Sequence, residues 1–220
     1  MSRLDRGRLW AAVGRRRILY DAVGLVLIWS VAFAASLQGS ESPTEAVRGT
    51  VSRVLSILED PVLKDPAKLK SRRRMLEEVI ATRFDYAEMS KRTLAAYWPP
   101  LTEAQRTEFV ELFKRFLSDR YAEKIEGYSG EQVVYLSERI EGTYAEVRTE
   151  LRSDKTTIPM DYRLLLKEGR WHAYDIVVDG VSLVKNYRSQ FQKIIRETSY
   201  EELVKKLRER TLTEARTTKP

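Results

Sequence analysis

The sequence predicts an α+β fold: helices first, then a curved antiparallel sheet of about four strands, then helices again, with the helices packed on one face of the sheet. Three observations carry that expectation. Helix-start signals recur between residues 42 and 127, each followed by apolar residues at three- and four-residue spacing. From residue 130 the apolar period drops to two, and after Gly180 helical spacing returns. The chain has 220 residues, 43% of them hydrophobic, which is enough for one domain with tails and a substantial core.

The N-terminal segment reads as an address. Arg3, Arg6, Arg8, Arg15, Arg16 and Arg17 precede an unbroken apolar stretch, Ala22 to Ala35, in which Ser30 is the only polar residue. Small residues follow, and Ala32-Phe33-Ala34 fits an A-x-A cleavage pattern. Residues 1–34 are therefore expected to be a secretory signal peptide cut near Ala34–Ala35, with 35–43 a polar spacer. The alternative is an uncleaved anchor from Ile18 to Leu37, interrupted by Asp21. In either case the functional domain lies beyond a membrane. Much of the +7 net charge sits in this segment, and the balanced remainder argues against a phosphate-backbone binder.

The helix starts follow in order. Ser42-Pro43-Thr44-Glu45 places an N-cap serine, an N1 proline and an N3 glutamate, the pattern of a capping box, ahead of Val47, Val51, Val54, Leu55 and Leu58. Asp65-Pro66 opens a second helix carrying Leu69, Leu76, Val79 and Ile80, and Asp85 with Glu88 opens a third. Thr102 with Gln105 opens the fourth, which carries Phe109, Leu112, Phe113, Phe116, Leu117, Tyr121 and Ile125 and stops at Gly127. For any one of these rings, ordinary core is the simpler reading.

Strands are expected at Glu131–Ile140, Tyr144–Leu151, Thr157–Leu166 and Trp171–Val178, with turns at Glu141-Gly142 and Glu168-Gly169. In the second, Ala145, Val147, Thr149 and Leu151 share one face while Glu146, Arg148 and Glu150 share the other. In the third, Ile158, Met160, Tyr162 and Leu164 oppose Asp161 and Arg163. One face should be buried and the other wet. The final helices carry Val181, Leu183, Val184, Tyr187, Phe191, Ile194 and Ile195, then Leu203, Val204 and Leu207, and residues 211–220 are expected to be a flexible tail.

Catalytic chemistry is thin. The absence of cysteine excludes disulfides, thiolate metal sites and a cysteine nucleophile, and also a bacterial lipoprotein. There is no Walker loop, H-E-x-x-H or G-x-S-x-G motif, and the single histidine, His172, suits a structural role. Asp161 and Asp175 are acid–base candidates, although alternating strands more often use such residues for surface or hydrogen-bonding roles. Arg72-Arg73-Arg74 fans around a helix and reads as a solvated face, with a lipid-headgroup or membrane-surface role as the alternative. No cofactor, metal or nucleic acid is implied.

Five stretches, in order, resemble a known family. They are Arg83-Phe84-Asp85-Tyr86-Ala87-Glu88-Met89, Leu101-Thr102-x-x-Gln105-Arg106-x-x-Phe109, Trp171-x-Ala173-Tyr174-Asp175, Gly180-Val181-Ser182-Leu183 and Asn186-Tyr187-Arg188-Ser189-Gln190-Phe191. Together they resemble the toluene-tolerance, or MlaC-like, family of periplasmic lipid-binding proteins. The resemblance implies a nuclear-transport-factor-2-like cone with a lipid cavity between sheet and helices, spanning a lipid-binding domain at 44–210. It implies a non-enzymatic, monomeric periplasmic carrier that shuttles a phospholipid, or a hopanoid-type lipid, between outer and inner membranes and maintains outer-membrane asymmetry. Its implied partners are an inner-membrane MCE-domain ABC transporter and an outer-membrane lipoprotein–porin complex.

Alternation and helical spacing select the lining. The strand positions are Val147, Leu151, Ile158, Met160, Tyr162, Leu164, Ile176 and Val178, and Phe109, Phe113, Phe116, Tyr187 and Phe191 would close the other side. Masking one sixteen-carbon chain from water is worth on the order of 12 kcal/mol, which only a dry cavity supplies. Two alternatives stand beside this reading: an enzyme on the same cone using an Asp/Tyr pair, and a membrane-anchored interaction module with a solid core.

Overall fold

A computed structural model of the chain describes residues 41–217, with side chains as far as Arg210. The expected leader and most of the expected spacer, residues 1–40, lie outside the described residues, as do 218–220.

Helix α1 spans Pro43–Glu59 and begins where the sequence says it should: the Ser42 hydroxyl accepts the Glu45 amide at 3.1 Å. Only this half of the expected capping box forms, because the Glu45 carboxylate turns to Arg48, 3.5 Å away. The helix stops before Pro61, and Asp65 then caps a short 3₁₀ turn, Pro66–Lys68, that leads into α2, Leu69–Ala81. Asp85 accepts the Glu88 amide at 2.9 Å to start α3, Tyr86–Leu94. A full capping box between Thr102 and Gln105 starts α4, Glu103–Glu126, which ends at Gly127.

The sheet is a meander in chain order: β1 Gln132–Glu141, β2 Tyr144–Arg152, β3 Thr157–Lys167, β4 Arg170–Val178 and β5 Val181–Ser182, all antiparallel. Five strands are present rather than four. The fifth arises because Asp179 and Gly180 both hold positive φ, 49° and 75°, and turn the chain back as a tight hairpin; Glu168 and Gly169 do the same at 51° and 75°. Val181, read as helical from its spacing, is the first residue of that added strand. Helices α5, Leu183–Glu197, and α6, Tyr200–Thr217, follow, so α6 continues into the stretch expected to be tail.

Two bulges set which residues share a face. In β4, Arg163 pairs with Asp175 but Leu164 pairs with Ala173, leaving Tyr174 unmatched. The extra residue puts Ile176 and Val178 on the same face as Trp171 and Ala173, opposite Tyr162 and Met160 of β3. The opposite face carries Glu146, Arg148, Asp161, Arg163 and Asp175, with Arg163 3.1 Å from Asp175 and 3.6 Å from Glu146. One apolar and one charged face is the expected division.

Three separate apolar clusters hold the domain together. The largest joins α3, α4, α5 and α6 through Met89, Leu94, Phe109, Phe113, Phe191 and Leu203. The second seats Ala46 and Val47 of α1 on Ala145, Val147, Leu164 and Trp171 of the sheet. The third joins Ile57 and Leu58 of α1 to Leu76 of α2, flanked by Ile125 and Tyr128 at the end of α4. Helix α4 packs chiefly on α3 and α6, and its Ile125 reaches the third cluster.

Polar anchors fix these layers. The loop before α3 pairs with the free edge of β4: the Ala173 amide donates to the Arg83 carbonyl at 2.8 Å, and the Asp85 amide to the Ala173 carbonyl at 2.9 Å. The Arg83 guanidinium, largely buried, donates to the Trp171 carbonyl at 2.6 Å and to the Thr50 hydroxyl at 3.0 Å, so one side chain ties α1, this loop and β4. Glu138 accepts the Thr44 amide at 2.7 Å, placing a carboxylate at the positive end of α1.

Candidate functional site

The eight strand residues selected from alternation all fall on one face of the sheet. Register proves it: Val147 opposes Tyr162, Leu151 opposes Ile158, Tyr162 opposes Ile176, and Met160 opposes Val178. They divide by burial. Val147 and Leu164 are fully buried beneath α1. Leu151, Ile158, Met160, Tyr162, Ile176 and Val178 are only half-buried, although each is a large apolar or aromatic side chain on the core-facing side. None of them belongs to the buried set of any of the three clusters, and only Tyr162 packs at the margin of one.

The helix residues selected alongside them are placed elsewhere. Phe109, Phe113, Phe116, Tyr187 and Phe191 pack on one another, with ring centroids 5.3–6.4 Å apart, inside the helical cluster. The structure thus brings the strand set together on one sheet face and the ring set together inside the helical cluster. Each ring's neighbours are other rings, Met89, Leu94 and the α6 leucines, which is how a filled core is built.

Two more residues of the open face were not selected from the sequence. Val133 opposes Leu151 and Tyr135 opposes Thr149, so β1 contributes both to this surface. Alternation pointed to them as far as Tyr135. The bulge at Leu136 then reverses the pattern, so that Glu138 and Ile140 take up the same side.

The face is chemically quiet. The Tyr162 hydroxyl lies 3.2 Å from the Met160 sulfur, and burial pushes its pKa well above the ordinary phenol value, so it stays neutral. Burial also raises Tyr135, whose ring lies 4.0 Å from the Arg48 guanidinium carbon. The Thr149 hydroxyl is spent on the Met160 carbonyl at 2.6 Å. Among the described residues no cluster of His, Asp or Glu is arranged to hold a metal.

The acid–base candidates lie on the charged face instead. Asp175 is buried and its two oxygens are committed: Oδ2 accepts from the Ser182 hydroxyl at 2.6 Å and Arg163 at 3.1 Å, and Oδ1 from the Val184 amide at 3.0 Å. It fastens β4 to β5 and the start of α5. Burial raises the Asp161 carboxyl, aided by nearby Glu146, but its strand position turns it away from the apolar face. Burial lowers the His172 imidazole, and His172 opposes Leu165, again away from the apolar face.

The surface is thus apolar, with its few polar groups internally paired. The chain is similar to several known proteins. It is 23% identical over 124 residues to the intermembrane phospholipid transport system binding protein MlaC of Haemophilus influenzae, covering 54% of this chain and 58% of that protein. The chain thus spans rather more than half the length of that relative. It is 23% identical over 169 residues to the toluene tolerance protein ttg2D of Pseudomonas putida, covering 76% of this chain and 79% of that protein. A solved structure of a phospholipid-binding protein from Ralstonia solanacearum, in complex with a phospholipid, superposes with a TM-score of 0.70 at 26% identity, covering 77% of this chain and 97% of that one. Residues 48–209 match the family model for MlaC protein, and the chain belongs to that family.

Proposed function

We propose that this protein is a periplasmic, non-enzymatic carrier that holds the acyl chains of a phospholipid against the open face of its sheet. The observation that carries the proposal is the unfilled apolar surface of Leu151, Ile158, Met160, Tyr162, Ile176 and Val178. Six such side chains left only partly buried on the core side of a sheet forgo burial that an ordinary core would complete. An acyl chain restores it, at about 0.8 kcal/mol per methylene transferred from water. The phospholipid held by the Ralstonia relative, whose chain is covered almost completely, supports the same reading.

The carrier would work by exchange. The lipid must leave a membrane, cross water with its tails masked, and enter another membrane, so binding has to be strong enough for transit and reversible at both ends. An inner-membrane MCE-domain ABC transporter and an outer-membrane lipoprotein–porin complex are the proposed exchange partners, and upkeep of outer-membrane lipid asymmetry the proposed outcome. A hopanoid in place of the phospholipid would meet the same apolar face.

Native mass spectrometry of the protein purified from a bacterial periplasm without detergent tests the proposal, with lipid analysis of whatever is released. A stoichiometric phospholipid is the expected result; a hopanoid would change the cargo class. A lipid-free mass that persists after incubation with phospholipid vesicles would sink the carrier reading in favour of a solid-cored interaction module.

A further inference from the structure

The connection between α1 and α2 is an exposed, basic and apolar tip. Val62 is 67% exposed and Leu69 39%, two of the few large apolar side chains the described residues leave in water. Between them and beside them stand Lys64, Lys68 and Lys70, all exposed. Each of these lysines lacks an ion-pair partner among the described residues. The neighbouring acids are engaged by the backbone. Asp60 accepts the Val62 amide at 2.8 Å, and Asp65 accepts the Ala67 amide at 2.8 Å. Both carboxylates thereby shape the turn, while the lysines face outward.

The tip's position is fixed. Leu63 packs in the cluster of Ile57, Leu58, Leu76, Ile125 and Tyr128, and the Tyr128 hydroxyl donates to Glu59 at 3.0 Å. The chain enters β1 at Gln132, four residues after Tyr128, and Val133 with Leu151 and then Ile158 forms the near end of the open apolar face. The cluster that holds the tip thus also holds the residue from which the chain runs into that end of the face.

We infer that residues 61–70 are a membrane-contact tip, which recognises an anionic phospholipid surface by inserting Val62 and Leu69 while Lys64, Lys68 and Lys70 meet the headgroups. Charge complementarity selects that occupant: clustered lysines without carboxylate partners are attracted to an anionic interface, and adjacent apolar side chains gain by entering it. The contact stands whether or not the protein carries lipid, and its test is separate from that of cargo.

The chain has no cysteine, so single-cysteine variants can be labelled at one place. Val62→Cys would carry an environment-sensitive fluorophore at the tip, and Ile140→Cys the same probe at the far, exposed end of β1. Both are mixed with vesicles of phosphatidylglycerol and phosphatidylethanolamine, and with phosphatidylcholine vesicles. Both variants are taken as the protein purified from a bacterial periplasm, so they differ only in the position of the probe. The expected result is a blue shift at Val62→Cys on the anionic vesicles only, and none at Ile140→Cys. Adding Lys64→Glu, Lys68→Glu and Lys70→Glu should raise the lipid concentration needed for that shift by roughly tenfold or more. A Val62→Cys probe that stays in water overturns the inference and leaves the tip to an acidic protein surface. An equal shift on phosphatidylcholine, or one indifferent to the charge reversals, overturns it as well.

Discussion

In the helical core, Phe113 meets Phe109, Phe116, Tyr187 and Phe191 at ring-centroid distances of 5.5–6.4 Å and is wholly buried. On the sheet, Met160 points to the core side yet remains half-exposed, with the Tyr162 hydroxyl 3.2 Å from its sulfur. Both residues are large and apolar, and both sit at inward positions of regular elements. What separates them is what fills the space opposite. Phe113 faces helices whose own rings fill it; Met160 belongs to none of the three packed clusters. Burial pattern identifies the side of an element that avoids water, but only the packing shows whether protein or ligand completes it.

The largest effect expected from breaking this contrast is in the filled region. Phe113→Ala should cost about 3–5 kcal/mol in denaturant unfolding, because it opens a cavity the neighbouring rings cannot close. Met160→Ala in lipid-free protein should cost well under half of that, since little packing is lost. Equal losses at the two sites would erase the distinction. Next is Asp175→Ala, which removes the acceptor for Ser182, Val184 and Arg163 and leaves them unpaired; roughly 3 kcal/mol is expected, with amide exchange accelerated first at β5 and the start of α5.

A finer cut runs within the strand set itself. Val147→Trp must overpack against α1 and should cost about 1–3 kcal/mol, whereas Met160→Trp should leave stability nearly unchanged and lower the lipid occupancy seen by mass spectrometry. Retained occupancy in Met160→Trp would move the site away from the open face.

The smallest effect concerns pH. Burial alone would raise the Asp85 carboxyl, but the Glu88 amide and Lys167, 3.1 Å away, more than reverse it and hold it below the ordinary value. A depressed folded pKa adds stability above the unfolded value of about 3.9, which is lost as pH falls through the folded one. Asp85→Asn keeps a capping side chain, so at pH 7 it should cost only about 0.5 kcal/mol and should shallow the acid limb of the stability curve. An unchanged acid limb would remove Asp85 from that account.

Much of this was legible in the sequence, and the gaps have physical causes. Helix starts at Ser42, Asp85 and Thr102 and the four long strands were readable because capping and alternation are local. The fifth strand is hard to read because Val181 fits a helical period as well as a two-residue strand, and it is the positive φ of Asp179 and Gly180 that turns the chain back there. The family resemblance was carried by stretches that prove to be anchors: Arg83 and Asp85 against β4, and Asp175 with Ser182 at the root of α5. That the strand residues share one face was readable because they alternate cleanly. What Phe109 and Phe113 do was not, because they look the same in sequence whether they line a cavity or fill it. Whether two apolar faces meet or stand apart depends on where the helices sit, and no periodicity encodes that.

The most direct measurement is photocrosslinking with a phospholipid that carries a diazirine in its acyl chain, loaded into the purified protein and followed by peptide mapping of the adducts. Adducts concentrated on Met160, Tyr162, Ile176 and Val178 are the result this account predicts. Adducts on Phe109, Phe113, Tyr187 and Phe191, with the strands unlabelled, would contradict it and place the acyl chain inside the helical cluster.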